Sequence, residues 1–174
     1  MTLSLFRDLL YNKLIMKNIW ISGSINSGKS TVSKILSKEL KMVVIELDSF
    51  SEFVEQFMDF DNYIKLNYDM APEIVDIYNK RGYGVIVVYP ISEKKNSHLK
   101  ICASNFTFFT IDPSLEIALT NRGERKLNDW ERERITNHYK NGVNNLSFGF
   151  RIDTKNLTPK QTANKIIKFL SENP

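Results

Sequence analysis

Apolar positions along the chain follow two alternating patterns. Short, nearly unbroken apolar runs predict strands over residues 18–22, 42–47, 85–89, 106–111 and 146–152. Apolar residues at helical spacing predict helices over residues 29–40, 49–60, 71–81, 92–104, 127–141 and 158–170. Unbroken apolar strands are typical of a sheet that is buried on both faces. The alternation therefore predicts an α/β fold, with a five-stranded parallel sheet and helices on both of its faces.

Capping residues suggest where some of these helices begin. Ser49 and Glu52 have the spacing of a capping box. Pro72 fits the first turn of the helix over 71–81, where a missing N–H costs nothing. Asp112 is followed by proline, which is typical of an N-cap and the first helical position. These residues predict three separate helix starts.

Composition narrows the class of protein. The 174 residues suffice for one domain, predicted over 16–174 after an N-terminal extension over 1–15. With 42% hydrophobic and 25% charged residues, wholesale disorder is excluded. The single cysteine, Cys102, excludes an intrachain disulfide and a cysteine-rich zinc site, and it fits a reducing, cytoplasmic setting.

Charge and hydropathy indicate which classes of binding partner to expect. The net charge of +4 suits an anionic ligand, but no known nucleic-acid-binding module is recognisable. No apolar run reaches the roughly 18 residues that a membrane helix needs. We therefore expect neither a nucleic acid nor a membrane as partner, and either a monomer or a homodimer.

The strongest chemical signal lies between the first predicted strand and the first predicted helix. Residues 23–30 read G-S-I-N-S-G-K-S, which matches the phosphate-binding pattern G-x-x-x-x-G-K-[ST]. Glycines let the backbone approach phosphate oxygens, and successive N–H groups at a helix N-terminus bind anions. The nucleotide-binding residues are predicted to be Gly23, Ser24, Asn26, Ser27, Gly28, Lys29, Ser30 and Thr31.

Two residues of this loop have predicted roles in the chemistry. Lys29 is expected to reach the β- and γ-phosphates of a nucleoside triphosphate, and the Ser30 hydroxyl is expected to ligate Mg²⁺. Thr31 lies either near the α-phosphate or simply in the first turn of the helix. The motif thus predicts a nucleoside triphosphate and Mg²⁺ as the cofactors.

Asp48 follows the second predicted strand, at the edge of the sheet where α/β proteins bind ligands. There its carboxylate can accept a proton from an attacking hydroxyl, orient that hydroxyl, or hold a magnesium-bound water. An N-cap role is the alternative, although Ser49 and Glu52 can fill it. Glu46 points to the same face if the strand continues, or it is a partly buried structural acid.

The cationic segment N-R-G-E-R-K at residues 121–126 predicts a lid, within a helical lid region around 120–141. An arginine that closes over the transferred phosphoryl group stabilises its charge. Arg122 has no acid three or four residues away, so it ranks first as a phosphate contact, and Arg125 ranks second. Surface ion pairs with acids three residues back can account for Arg132 and Arg134.

Aromatic and histidine residues near this segment have more ordinary interpretations. Trp130 and Tyr139 are expected in the core or in lid packing, and His98 and His138 are expected to be structural or exposed. The third strand ends in Tyr89-Pro90, where many phosphate-loop enzymes have an aspartate that supports Mg²⁺. Asp48 is therefore expected to carry part of the magnesium shell.

From residue 16 to about 170 the chain resembles the small phosphate-loop kinases, in particular chloramphenicol phosphotransferase-like and adenylylsulfate kinase-like proteins. The resembling segments are W-I-S-G-S-I-N-S-G-K-S-T, E-L-D-S-F, L-T-N-R-G-E-R-K-L-N-D-W-E-R-E-R-I-T-N-H-Y and I-D-T-K-N-L-T-P-K-Q-T-A-N-K-I-I. The resemblance implies a P-loop NTPase fold and ATP-dependent transfer to a small-molecule hydroxyl. It also implies Asp48 as the base, lid arginines at Arg122 and Arg125, and a loop over residues 148–150 beside the adenine.

Three functions remain open at this point. The first is a kinase that acts on a small-molecule acceptor, either a metabolite or an antibiotic. The second is a nucleotide-binding regulatory protein that has no transferase activity, and the third is a nucleoside monophosphate kinase. The aromatic residues of segment 49–68 allow a ring-bearing acceptor, but several of them are needed for the core.

Overall fold

The computed structural model describes residues 18–50, 54, 56–93, 106–121 and 125–173. The strands are β1 (Asn18–Ser22), β2 (Val43–Glu46), β3 (Val85–Val88), β4 (Phe106–Asp112) and β5 (Phe150–Asp153). The helices are α1 (Lys29–Leu40), α2 (Phe60–Asn79), α3 (Leu115–Ala118), α4 (Asp129–Lys140) and α5 (Pro159–Glu172). A 3-10 turn over Leu47–Phe50 follows β2.

The five strands form one sheet in the order β2-β3-β1-β4-β5, and every neighbouring pair is parallel. This confirms the predicted α/β fold. Because all strands run the same way, their carboxyl ends share one edge of the sheet. The loop after the central strand β1 and the turn after β2 therefore open toward the same side.

Alternate side chains of β1 enter two different cores, as the period of a strand requires. Ile19 and Ile21 are fully buried against α1 and α5. Trp20 is fully buried on the opposite face, where it stacks near Tyr68 of α2 and donates a hydrogen bond from Nε1 to the Tyr89 carbonyl at 2.9 Å. Apolar residues on both faces of the central strand fix the sheet between two layers of helices.

The helix predicted over 71–81 begins too late, because α2 spans Phe60–Asn79 and Pro72 lies inside it rather than in its first turn. Of the helix predicted over 49–60, residues 51–53 and 55 lie outside the described residues, residue 54 is helical, and residues 56–59 are not helical. Asp59 is the N-cap, because its side chain accepts a hydrogen bond from the backbone N–H of Asn62 at 3.0 Å. Burial of Tyr68, Ala71 and Val75 against the sheet holds the helix together across the proline. Glu52, the second half of the predicted capping box, lies outside the described residues.

Asp112 is not an N-cap, contrary to the prediction. It is the last residue of β4 and is buried. Its carboxylate accepts hydrogen bonds from the Tyr139 hydroxyl at 3.0 Å and from the guanidinium of Arg151 on the adjacent strand β5. A tertiary ion pair thus draws Asp112 into the sheet, and α3 begins only after Ser114.

The remaining predictions agree with the structure to within a few residues. Helices α4 and α5 begin with capping boxes at Asn128 and Thr158. The fifth strand starts at Phe150 rather than at 146, after Gly149 with its φ of 75°. The predicted helix over 92–104 and the extension over 1–15 lie outside the described residues. In the described part of the chain, no helix is both long enough and apolar enough to cross a membrane.

Candidate functional site

The loop between β1 and α1 has the backbone geometry that the motif predicts. Gly23 has φ 143° and Gly28 has φ 96°, and Asn26 has φ 58°. A Cβ at Gly23 would lie 2.5 Å from the carbonyl oxygen of Ile111 in β4, so only glycine fits there. The loop therefore passes close to β4 before it turns into α1.

The side chain of Asn26 ties this loop to the start of the lid. Its Nδ2 donates to the carbonyl oxygens of Ala118 and Thr120, both at 2.9 Å. Those carbonyls belong to the end of α3 and the residue after its C-cap, where helix carbonyls lack partners within the helix. The Asn26 side chain thus supplies hydrogen bonds to two carbonyl oxygens, while its own backbone adopts a left-handed conformation in the loop.

Lys29 begins α1 and folds back over the loop, where its Nζ donates to the carbonyl oxygen of Ser24 at 2.7 Å. The pKa of this ammonium is lowered to about 8, chiefly by burial and to a smaller extent by the charge of Arg125. The carboxylates of Asp48 and Glu46 act in the opposite direction. The charged form of Lys29 is therefore destabilised in the protein alone, and an anionic ligand would restore it.

Glu46 is a site residue that sequence reasoning left undecided. The Ser30 hydroxyl donates to its Oε2 at 3.1 Å, across from α1 to the last residue of β2. The sequence signal was available: Glu46 and Asp48 both follow the apolar part of a strand that ends at the ligand-binding edge. Glu46 therefore places a carboxylate next to Ser30, whereas the third strand is followed by Tyr89-Pro90 and has no acid at its end.

Asp48 lies in the 3-10 turn after β2 and faces Lys29 across a cavity of about 440 Å³. Burial raises the pKa of its carboxyl group, Lys29 and Arg134 lower it, and Glu46 raises it. Asp48 is accessible from the cavity, but the cavity walls displace enough water to disfavour the charged carboxylate. The cavity is lined by Ile25, Asn26, Ser27, Gly28, Lys29, Ser30, Thr31, Glu46, Asp48, Val88 and Arg125.

The structure thus brings most of the predicted site residues into one cavity. Gly23 and Ser24 support its floor, because Gly23 packs on β4 and Ser24 accepts from Lys29. Arg122 lies outside the described residues, so its phosphate contact stays a prediction. Arg125 lines the cavity, and its guanidinium pairs with Glu131 at 2.7 Å.

A second cavity of about 470 Å³ shares Ile25, Asp48 and Arg125 with the first. Its other lining residues come from α2, α4 and the segments next to them, and they are Met58, Phe60, Tyr63, Pro90, Trp130, Glu131, Arg134 and His138. Asp48 therefore stands where the two cavities meet. This arrangement leaves room for a second ligand beside whatever occupies the loop cavity.

The expected surface ion pairs of Arg132 and Arg134 are wrong. Arg132 donates to the Leu119 carbonyl at 2.8 Å and to the Asn121 side chain at 3.2 Å. Arg134 lies over the rings of Phe60 and Trp130, at 4.6 and 5.4 Å from their centroids. One helical signal could have revealed this role, because positions 130, 134 and 138 share one face of α4.

His138, the third residue of that face, lines the second cavity. Its Nδ1 lies 3.4 Å from the Ser24 hydroxyl. Burial, together with the charges of Arg134 and Lys29, lowers the pKa of its ring to about 3. His138 is therefore neutral near pH 7, and the positive charge around the two cavities comes from the arginines and Lys29.

The donors in the loop cavity fit a nucleotide phosphate with Mg²⁺. The buried Ser27 hydroxyl has no hydrogen-bond partner, and it lines the cavity beside the backbone of the loop. Ser30, Glu46 and Asp48 offer oxygen atoms, which are the ligands that Mg²⁺ prefers. Among the described residues, no group of three or more His, Cys, Asp or Glu side chains is arranged to hold a metal by itself. Phosphate oxygens and water would have to complete the shell.

Residues 148–150 do not lie where the resemblance implies. Phe148 packs edge-on against Phe108, and Phe150 packs against Phe169 of α5. They lead into the amino end of β5, whereas the phosphate loop follows the carboxyl end of β1. The residues that leave β5 at the loop edge are 154–158, which makes that segment the better placed neighbour of a nucleotide base.

Solved structures with this fold are numerous, although no protein-family model and no curated protein sequence matches the chain. A sugar kinase from a Janibacter species matches with a TM-score of 0.70 at 14% identity, over 89% of this chain and 94% of its own. The tunicamycin resistance protein of Deinococcus radiodurans matches with 0.63 at 20% identity, over 88% and 95%. The APS kinase CysC of Mycobacterium tuberculosis, solved with AMPPNP and APS, matches with 0.55 at 17% identity, over 88% and 96%.

These similarities establish the fold. The chain has the same α/β fold as these neighbours, and the match covers nearly the whole length of each of them. At 14 to 20% sequence identity, the similarity shows a shared fold and does not show a shared reaction. What the site does has to be argued from its own residues.

Proposed function

We propose that the protein is an ATP-dependent phosphotransferase that moves the γ-phosphate of ATP to a hydroxyl group of a small molecule. One observation carries this proposal: Asp48 lies at the junction of two cavities, one of which contains the phosphate loop while the other is large enough for an acceptor. The kinase names of the structural neighbours agree with it.

The residues of the loop cavity bind and orient the nucleotide. Loop N–H groups and the Lys29 ammonium hold the β- and γ-phosphates, and the phosphates in turn raise the pKa of Lys29 from about 8. Ser30 and Glu46 hold Mg²⁺, which when bound neutralises charge on the phosphate oxygens. Arg125, at the mouth of both cavities, faces the transferred group, and Arg122 is proposed as a second lid contact.

Asp48 orients the acceptor hydroxyl and accepts its proton. Burial raises the pKa of its carboxyl group, and the charges of Lys29 and Arg134 oppose that effect in part. A carboxylate with a raised pKa is a stronger base than an exposed aspartate. The transferred phosphoryl group is stabilised by positioning and charge, so a single oriented base is sufficient on the acceptor side.

An Asp48→Asn variant tests this assignment. With MgATP and a broad panel of hydroxylated metabolites and antibiotics, we expect the wild-type protein to form a phosphorylated product. In Asp48→Asn, kcat should fall about 10² to 10⁴-fold while ATP binding is retained, because the amide cannot accept the proton. Asp69→Asn, which only breaks a surface pair with Lys65, serves as the control and should behave like wild type. Unchanged turnover in Asp48→Asn would remove Asp48 from the mechanism.

The same panel separates the alternative functions. Tight ATP binding with no product from any acceptor would favour a nucleotide-binding regulatory protein. Simultaneous binding of two nucleotides, measured by their stoichiometry, would favour a nucleoside monophosphate kinase. The aromatic lining of the second cavity is compatible with several ring-bearing acceptors, so the panel has to be wide.

A further inference from the structure

The guanidinium of Arg134 lies over two aromatic rings in the cavity next to the phosphate loop. Phe60 of α2 and Trp130 of α4 lie within cation–π distance of its central carbon, at 4.6 and 5.4 Å. A cation–π contact uses none of the hydrogen-bonding capacity of the five N–H donors, which stay available for a ligand. The N–H edge is the part of arginine that binds a carboxylate or a phosphate through two parallel hydrogen bonds.

Among the described residues, no carboxylate forms an ion pair with Arg134, although its charge acts on Asp48 at longer range. Glu131 is paired with Arg125 instead. Glu133, the adjacent residue, lines a neighbouring cavity without pairing with Arg134. A half-buried, unpaired guanidinium is costly, and an anionic ligand removes that cost.

Arg134 also lies close to the reacting centre. Its charge lowers the pKa of Asp48 and of His138, which places it within electrostatic range of both groups. Arg134 lines the second cavity and also an adjoining cavity of about 430 Å³, and Phe60 and Trp130 line both cavities as well. A ligand whose hydroxyl meets Asp48 therefore has Arg134 within reach of a second functional group.

We infer that Arg134, beside Phe60 and Trp130, forms an oxyanion subsite in the second cavity, so that the acceptor is a hydroxylated compound carrying a carboxylate or phosphate group. This inference rests on the proposed phosphotransferase function, since it names the acceptor class of the same site. The rings add a preference for a flat apolar part of the acceptor next to its anionic group.

The protein carries its own reporter for this subsite. Of the two tryptophans in the sequence, Trp20 is fully buried in the core, whereas Trp130 is 61% exposed and lines the cavity. With ADP and Mg²⁺ present to fill the loop cavity, Trp130 fluorescence can be titrated with matched probes. The carboxylate arm compares benzoate with benzamide, and the phosphate arm compares phenyl phosphate with phenol.

The wild-type protein should bind at least one anionic probe about 10- to 100-fold more tightly than its neutral partner. Arg134→Met should abolish that preference, and Arg134→Lys should restore only part of it, because lysine lacks the planar fork. Arg81→Met is the control and should keep the preference, because Arg81 is exposed and its guanidinium donates to the Ile77 carbonyl oxygen of α2.

Equal binding of anionic and neutral probes, or no binding of either anion up to its solubility limit, would overturn the inference. A preference that survives in Arg134→Met would also overturn it, because the anion would then bind at the phosphate loop. Failure of the proposed function looks different: ATP does not bind, or no acceptor of either charge is phosphorylated. Transfer to neutral acceptors alone would support the kinase and refute the anion subsite.

Discussion

Gly23 offers the sharpest test of how the phosphate loop is built into the sheet. In Gly23→Ala the new Cβ would lie 2.5 Å from the Ile111 carbonyl oxygen and 2.8 Å from the Ser27 hydroxyl oxygen. The Ser27 side chain can rotate away, but the Ile111 carbonyl belongs to the backbone of β4 and cannot. The substitution must therefore push the loop away from the sheet.

The expected cost combines two contributions. An alanine at φ 143° costs about 1–3 kcal/mol in backbone strain, and overpacking against β4 adds about 1–3 kcal/mol. We therefore expect Gly23→Ala to lower the free energy of unfolding by about 2–6 kcal/mol. At Gly82, with φ 82° and no atom within 4 Å of an added Cβ, only the strain remains, and the expected loss is about 1–2 kcal/mol.

Urea denaturation of the wild type, Gly23→Ala and Gly82→Ala measures these losses, provided that the three m-values agree. ATP titrations of the folded variants provide the second readout. Gly23→Ala should weaken ATP binding at least about tenfold, since the displaced loop no longer aims its N–H groups at the phosphates, whereas Gly82→Ala should not. Equal stability losses in the two variants would refute the close packing of the loop on β4. Unchanged ATP affinity in Gly23→Ala would refute the role of that packing in binding.

Two further predictions concern the loop itself. Because the pKa of Lys29 is lowered to about 8 and bound phosphate raises it, ATP binding at pH 8 should take up roughly half a proton and should weaken as the pH rises further. Calorimetry in two buffers of different ionisation enthalpy measures this uptake, and equal heats in both buffers at pH 8 would contradict the lowered pKa. Asn26→Ala removes the two bonds to Ala118 and Thr120, so it should lower the free energy of unfolding by about 1–3 kcal/mol in urea denaturation and weaken ATP binding. A variant as stable as wild type would show that these bonds do not hold the lid base.

Local patterns predicted much of the fold and most of the residues that line the loop cavity. The spacing of apolar residues gave α1 and the central strands, since helix and strand periods are local properties. Residues 23–30 are contiguous, so their motif could be read without tertiary information. The position of Asp48 followed from a topological rule, because parallel strands end at one edge of the sheet.

The surroundings of Arg134 and of Asp112 could not be predicted from local patterns. Arg134 has Glu131 three residues earlier, which suggested a surface pair, but Glu131 pairs with Arg125, and Arg134 lies over the ring of Phe60 on the distant helix α2. Asp112 has a good N-cap pattern, yet the ion pair with Arg151, 39 positions away in sequence, keeps it in β4. In both cases a long-range partner outweighs the local pattern, and single-sequence reasoning has no access to such partners.

The central claim is that the loop around Lys29 binds the polyphosphate of a nucleoside triphosphate. Isothermal titration calorimetry of the folded protein with ATP and Mg²⁺ tests it most directly, with Lys29→Met as the variant and Arg81→Met as the control. We expect saturable binding of one ATP per chain. The ATP affinity should be about 10- to 100-fold weaker in Lys29→Met and unchanged in Arg81→Met. No heat of binding with ATP or GTP, with or without a divalent cation, would contradict it.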